Sequence, residues 1–151
     1  MKKFLLLLAC IFTWTLASAE VADKRIKFNN LPQTAQQFIK KHFPNQKVVS
    51  VEMDDDRTYE VRLAGDIQID FSKSGRWTEI ESERKGIPYS ALPERVRRKV
   101  SAKYPKNVKV VEIERDREEI EVKLSNGQEL KFKNRADKKV KNYDDDDDDL
   151  D

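Results

Sequence analysis

The chain carries the same module twice, about 61 residues apart. Leu31-Pro32 opens the first copy and Leu92-Pro93 the second. Pro44 matches Pro105, Val48-Val49 matches Val110-Val111, Glu52 matches Glu114 and Asp54 matches Asp116. Glu60-Val61-x-Leu63 returns as Glu121-Val122-x-Leu124, and Phe71 returns as Phe132. A duplicated half-domain must build one element order twice, which restricts the architecture more than any single segment does.

Each copy reads as a helix followed by strands. In the first, Ala35, Phe38, Ile39 and Phe43 recur at helical spacing, and Gln33, Gln36, Gln37, Lys40 and Lys41 fill the other side. Pro32 stands where a first-turn proline is tolerated, and Pro44-Asn45 ends the helix. The second copy repeats the stripe with Val96, Val100 and Tyr104, but Lys99 replaces Phe38 and narrows it.

Period-2 alternation predicts the strands. Val49, Val51 and Met53 form one inward set; Tyr59, Val61 and Leu63 the next; Ile67, Ile69 and Phe71 a third. Their counterparts are Val111 and Ile113, then Ile120, Val122 and Leu124, then Leu130 and Phe132. Ser125-Asn126-Gly127 suits a three-residue hairpin loop with its glycine in the left-handed region. That register sets Lys123 opposite Glu129 and Glu121 opposite Lys131, both favourable, whereas the first copy sets Glu60 opposite Asp70 with Arg62 nearby to bridge them. A fourth strand is expected over Arg76 to Glu81, a weaker counterpart near Lys138 to Tyr143, and a short strand at Ile26-Lys27-Phe28 before the first helix.

The expected fold class is α+β: a tandem repeat of a helix followed by three to four antiparallel strands, with the helices packed on one face of a curved sheet. Glu83 to Ala91 is a short connection, so the halves should share one sheet. The expected divisions are residues 1–19 as a signal peptide, 20–82 and 83–143 as the two repeats, and 144–151 as an acidic disordered tail.

Met1-Lys2-Lys3, an apolar run from Phe4 to Leu16 and the small-residue site Ala17-Ser18-Ala19 make a secretory leader, cleaved before Glu20. The product is expected in the periplasm or secreted, with no transmembrane segment. Leu7-Leu8-Ala9-Cys10 loosely resembles a lipid-attachment box, but the apolar stretch before it is very short. Cys10 is the only cysteine, so cleavage leaves neither disulfide nor thiol nucleophile.

The whole chain has 30 basic and 28 acidic residues; removing Lys2 and Lys3 balances them. The charges are segregated. Asp144 to Asp149 and Asp151 form an acidic end, while Arg84 to Lys109 holds nine Lys or Arg against Glu94 alone. Export, and the lack of a Gly-rich loop, a zinc pattern or an aromatic-basic platform, argue against nucleic acid.

Enzymatic chemistry finds little support. His42 is the only histidine and neighbours the stripe residue Phe43, and no histidine-based constellation activates a Ser or Thr. Asp54-Asp55-Asp56 reads as a turn and lacks the ligand spacing of a calcium loop. No cofactor and no resident metal are expected, and the chain is expected not to be an enzyme.

Several segments in combination resemble the PepSY-like family of exported bacterial proteins typical of Bacteroidetes, whose fold is similar to that of the β-lactamase inhibitor protein. They are Ile26-x-Phe28-x-x-Leu31-Pro32, Gln37-Phe38-Ile39-Lys40-Lys41-His42-Phe43-Pro44, Tyr59-Glu60-Val61 and Phe71-Ser72-Lys73-Ser74-Gly75-Arg76-Trp77. The second half adds Ile87-Pro88-x-Ser90-Ala91-Leu92-Pro93 and the run from Val122 to Phe132. The resemblance covers about residues 24–133; it implies a two-helix, one-sheet fold and no catalytic residues. The lysine-rich end with six consecutive aspartates departs from the family pattern.

Alternating strands under two helices leave one sheet face open. The expected function is a noncatalytic, inhibitor-like module contacting a periplasmic protein or peptide there. The candidate residues are Glu60, Arg62, Gln68, Asp70, Trp77, Glu121, Lys123, Glu129 and Lys131. Trp77 and Ile80 differ in parity: if Ile80 is core, Trp77 joins Glu79 and Glu81 outside as an anchor; otherwise Trp77 is core. The alternatives are a calcium- or cation-binding acidic tail and a self-associating structural protein.

Overall fold

The computed structural model describes residues 24–133. The leader with Cys10, the strand expected near Lys138 to Tyr143 and the aspartate tail lie outside the described residues. Eight strands form one antiparallel sheet in simple sequence order: β1 (Lys24–Arg25), β2 (Val48–Met53), β3 (Tyr59–Leu63), β4 (Ile67–Phe71), β5 (Trp77–Glu81), β6 (Val110–Arg115), β7 (Glu119–Leu124) and β8 (Glu129–Lys133). Helix α1 (Gln33–His42) links β1 to β2, and α2 (Glu94–Lys103) links β5 to β6. Pairing of β5 with β6 joins the two repeats into a single sheet.

Both helices start immediately after a proline, whose missing N–H falls where a helix leaves donors unpaired. Their apolar stripes land as the spacing requires: Ala35 and Ile39 in α1, Val96 and Val100 in α2, all buried against the inward strand residues. Val61, Ile69, Phe71, Ile80, Ile113 and Val122 are almost wholly removed from water, each contributing about 1.5–3 kcal/mol of burial. Phe38 fills the first half, its ring 6.1 Å from Phe71 and 6.4 Å from Trp77. The β4–β5 turn presses against the start of α1. Gly75 sits there at φ +79°, and a Cβ on it would lie 2.7 Å from the Pro32 Cβ, so only glycine fits both the backbone and the space.

Three local expectations are corrected. The first short strand is Lys24–Arg25 rather than Ile26 to Phe28, because the chain coils into a 3₁₀ turn at Phe28–Asn30 in order to enter α1. Val49 and Val111 do not join the inward sets. A register shift between Val48 and Ser50 makes Val49 an extra residue, 66% exposed, and puts Val48 on the core; the second repeat shifts likewise between Val110 and Glu112, burying Val110. Trp77 is buried at 7% exposure, not on the open face. Between Asp70↔Glu79 and Phe71↔Trp77 the fifth strand carries the extra residue Thr78, so both Trp77 and Ile80 turn inward.

Candidate functional site

The strand registers line up the polar positions of the open face into files running across the sheet. One file reads Arg25, Glu52, Glu60, Asp70, Glu79, Glu114, Glu121, Lys131, a residue from each of the eight strands. Six carboxylates therefore stand directly opposite one another between two terminal cations. The neighbouring file reads Ser50, Arg62, Gln68, Glu81, Glu112, Lys123, Glu129. Like charges directly opposite on adjacent strands are destabilising, so this arrangement works against the sheet that carries it.

The cations serve the flanks. Arg25 lies 3.5 Å from Glu52, and Arg62 donates to Glu60 at 2.7 Å. On the other side Lys131 reaches Glu121 at 2.6 Å and Glu119 at 3.7 Å, and Lys123 reaches Glu112 at 3.3 Å. Between them, among the described residues, no lysine or arginine pairs with Asp70, Glu79, Glu81 or Glu114. This bare centre lies on β4, β5 and β6, where the repeats join.

Its electrostatics follow. Partial burial, reinforced by Glu81, Asp70 and Glu114, pushes the Glu79 carboxyl up from 4.5 to about 7. Asp70 also rises, through burial first and then the charge of Glu60 across the strand. Glu79, Glu81 and Glu112 each bring an oxygen to within 4.8 Å of the others, making a half-buried carboxylate trio. Hard oxygen donors of this kind suit calcium, which takes six to eight such ligands and fills its remainder with water.

The residues expected to form a binding face are placed unevenly. Glu60, Arg62, Gln68, Asp70, Glu121, Lys123, Glu129 and Lys131 fall in the two files, with the three expected cross-strand pairs in register. Trp77 falls on the covered side. Sequence reasoning reached Asp70, and Glu79 and Glu81 conditionally, but missed the β6 half of the centre, because Glu112 and Glu114 meet Glu79 and Glu81 only through the β5–β6 pairing, across the whole of α2. The alternation of both glutamates with Ile113 was the available signal. Asp54, read as a turn residue, accepts the Thr58 N–H at 2.9 Å and pairs with its hydroxyl, and its counterpart Asp116 accepts the N–H groups of Glu118 and Glu119.

The family model described as “Putative beta-lactamase-inhibitor-like, PepSY-like” matches this chain twice, over residues 14–69 and 57–137. The chain belongs to the PepSY-like family. Among solved structures it is similar to a putative calcium-regulated periplasmic protein of Bacteroides thetaiotaomicron: 40% identity, TM-score 0.70, covering 75% of this chain and 91% of that one. It is also similar to two putative periplasmic proteins of Bacteroides vulgatus. The first, from the DUF2874 family, is 41% identical with TM-score 0.70, covering 76% of this chain and 91% of that one. The second, of unknown function, is 34% identical with TM-score 0.64, covering 74% and 91%. No curated protein matches the chain. Among the described residues no helix is long and apolar enough to cross a membrane.

Proposed function

We propose that this PepSY-like protein is a noncatalytic periplasmic binding module whose open sheet face takes calcium at its centre and contacts a protein or peptide around it. One observation carries the reading: among the described residues Asp70, Glu79, Glu81 and Glu114 gather with no ion pair of their own, while Glu52, Glu60, Glu112 and Glu121 beside them each have one. A sheet that holds unrelieved like charges is stabilised by whatever neutralises them. Calcium supplies the charge and accepts the donor set; the B. thetaiotaomicron relative, named as calcium-regulated, supports the choice of ion. Arg62 and Lys123, exposed on either side, are the positions from which a partner would be held.

Calorimetric titration with Ca²⁺ tests this. Binding is expected at about 10⁻⁴–10⁻³ M, as in extracellular modules. It should vanish in Glu79→Gln/Glu112→Gln and persist when Asp144 to Asp149 become asparagine. Heat that disappears with the tail aspartates and survives the glutamine pair would move the site off the sheet and reject the reading. For the partner, crosslinked complexes should lose a component on charge reversal at Arg62 and Lys123; an unchanged set would reject this face.

A further inference from the structure

At the end of the sheet where β5 begins and β6 finishes, the charge reverses. The β4–β5 turn and the residues after β6 enclose a cleft of about 540 Å³, lined by Ser72, Ser74, Arg76, Trp77, Arg115 and Arg117, with Thr78 and Asp116. Three arginines line it. Arg115 is the half-buried one. Its guanidinium lies over the Trp77 ring, 4.0 Å from the centroid, and Nη2 donates to the Trp77 carbonyl at 2.8 Å. The ring and the carbonyl hold that group in one orientation.

Among the described residues no carboxylate forms an ion pair with Arg76, Arg115 or Arg117. The Asp116 carboxylate in the same cleft accepts the N–H groups of Glu118 and Glu119, at 2.7 and 2.6 Å, within its own turn. Burial and the neighbouring Arg76 charge both lower the pKa of Arg115. Two cations held together, one of them partly desolvated, leave an electrostatic debt that a bound anion would relieve. Guanidinium forks match the paired oxygens of phosphate and carboxylate; the Ser72 and Ser74 hydroxyls at the rim are engaged in the turn, bonding each other at 3.0 Å while Ser72 donates to the Arg76 carbonyl at 3.1 Å.

We propose that this cleft is an oxyanion site, in which Arg115, braced on Trp77, binds a phosphate or carboxylate group together with Arg76 and Arg117. The site is separate from the acidic centre and does not depend on it. Two sources supply the chemistry: a ligand from outside, or the carboxylates of Asp144 to Asp149 in the same chain.

Trp77 is the only tryptophan in residues 20–151, so its fluorescence reports on the cleft directly. The full-length mature chain is titrated with inorganic phosphate at constant ionic strength, with chloride as the matched control. A second protein carries asparagine at 144–149. The expected result is a saturable phosphate response, absent with chloride, weakened about tenfold or more by Arg76→Gln or Arg117→Gln. Both of these are exposed, so their substitution is expected to leave the fold intact. Arg115→Lys, which keeps the charge but loses the fork, should weaken it similarly. Tighter phosphate binding in the asparagine variant than in the native chain assigns the natural occupant to the tail; equal binding assigns it to an outside ligand. A chloride response equal to that of phosphate, or a phosphate response unmoved by the arginine variants, overturns the site.

Discussion

The two faces of this sheet are made by the same strands and obey opposite rules. On the helix side, Val61, Ile69, Phe71, Ile80, Ile113 and Val122 close under α1 and α2, and what is buried there stabilises the fold. On the other side, the residues between them place six acids in direct register, which no requirement of folding explains. The difference teaches where to look for function. A repeat that must keep its core can vary its outward positions freely, and here those positions concentrate one sign of charge at the seam between repeats.

If the faces divide the labour in this way, damage to each should read out separately. The largest effect is expected from Phe71→Ala. This side chain is fully buried beside Phe38, so its loss should cost about 3–5 kcal/mol in chemical denaturation. Phe132→Ala, at the equivalent position on β8, is only partly buried and should cost clearly less. Gly75→Ala comes next. It strains a left-handed backbone and drives a methyl into Pro32, so about 2–3 kcal/mol is expected. Gly127→Ala meets open space and should cost about 1–2 kcal/mol from the backbone alone.

The open face should announce itself through pH. Glu79 holds its proton more tightly folded than unfolded, so between 4.5 and about 7 the native state binds more protons. Its contribution to stability is full below pH 4.5 and is lost as pH rises through about 7; Asp70, also raised, acts in the same direction. Thermal melts should therefore show a lower Tm at pH 8 than at pH 5.5 from these groups, the underlying loss of stability being about 1 kcal/mol once solvent screening is counted. Glu79→Gln should flatten that slope, and a slope unchanged by the substitution would contradict the charge assignment. The smallest effect is expected from Val49→Thr, at an exposed bulge, within about 0.5 kcal/mol.

The duplication carried the helices, the order of the strands and the hairpin registers, because each depends on residues close in sequence. Glu60 opposite Asp70 and Lys123 opposite Glu129 could be read directly from turn length. The bulges could not. Val49 and Val111 follow the apolar pattern of a regular strand, and only the pairing with a neighbour reveals the extra residue; the opposite parity of Trp77 and Ile80 marked a conflict, but only the pairing shows that an extra residue lets both turn inward. The acidic centre was half visible for a related reason. Its β5 members share a strand with Ile80, but their partners on β6 arrive from beyond α2, and a non-local pairing leaves no mark in either segment. The arginine cleft escaped altogether, since it exists only once the bulge at Thr78 turns Trp77 inward beneath Arg115.

The most direct test is the titration of the Glu79 carboxyl by carbon-detected NMR, with and without Ca²⁺. The account predicts a midpoint near 7 in the metal-free protein, falling toward the ordinary carboxylate range when calcium is added, as the ion displaces the proton. A metal-free midpoint already in the ordinary range, or one that calcium leaves in place, would contradict it.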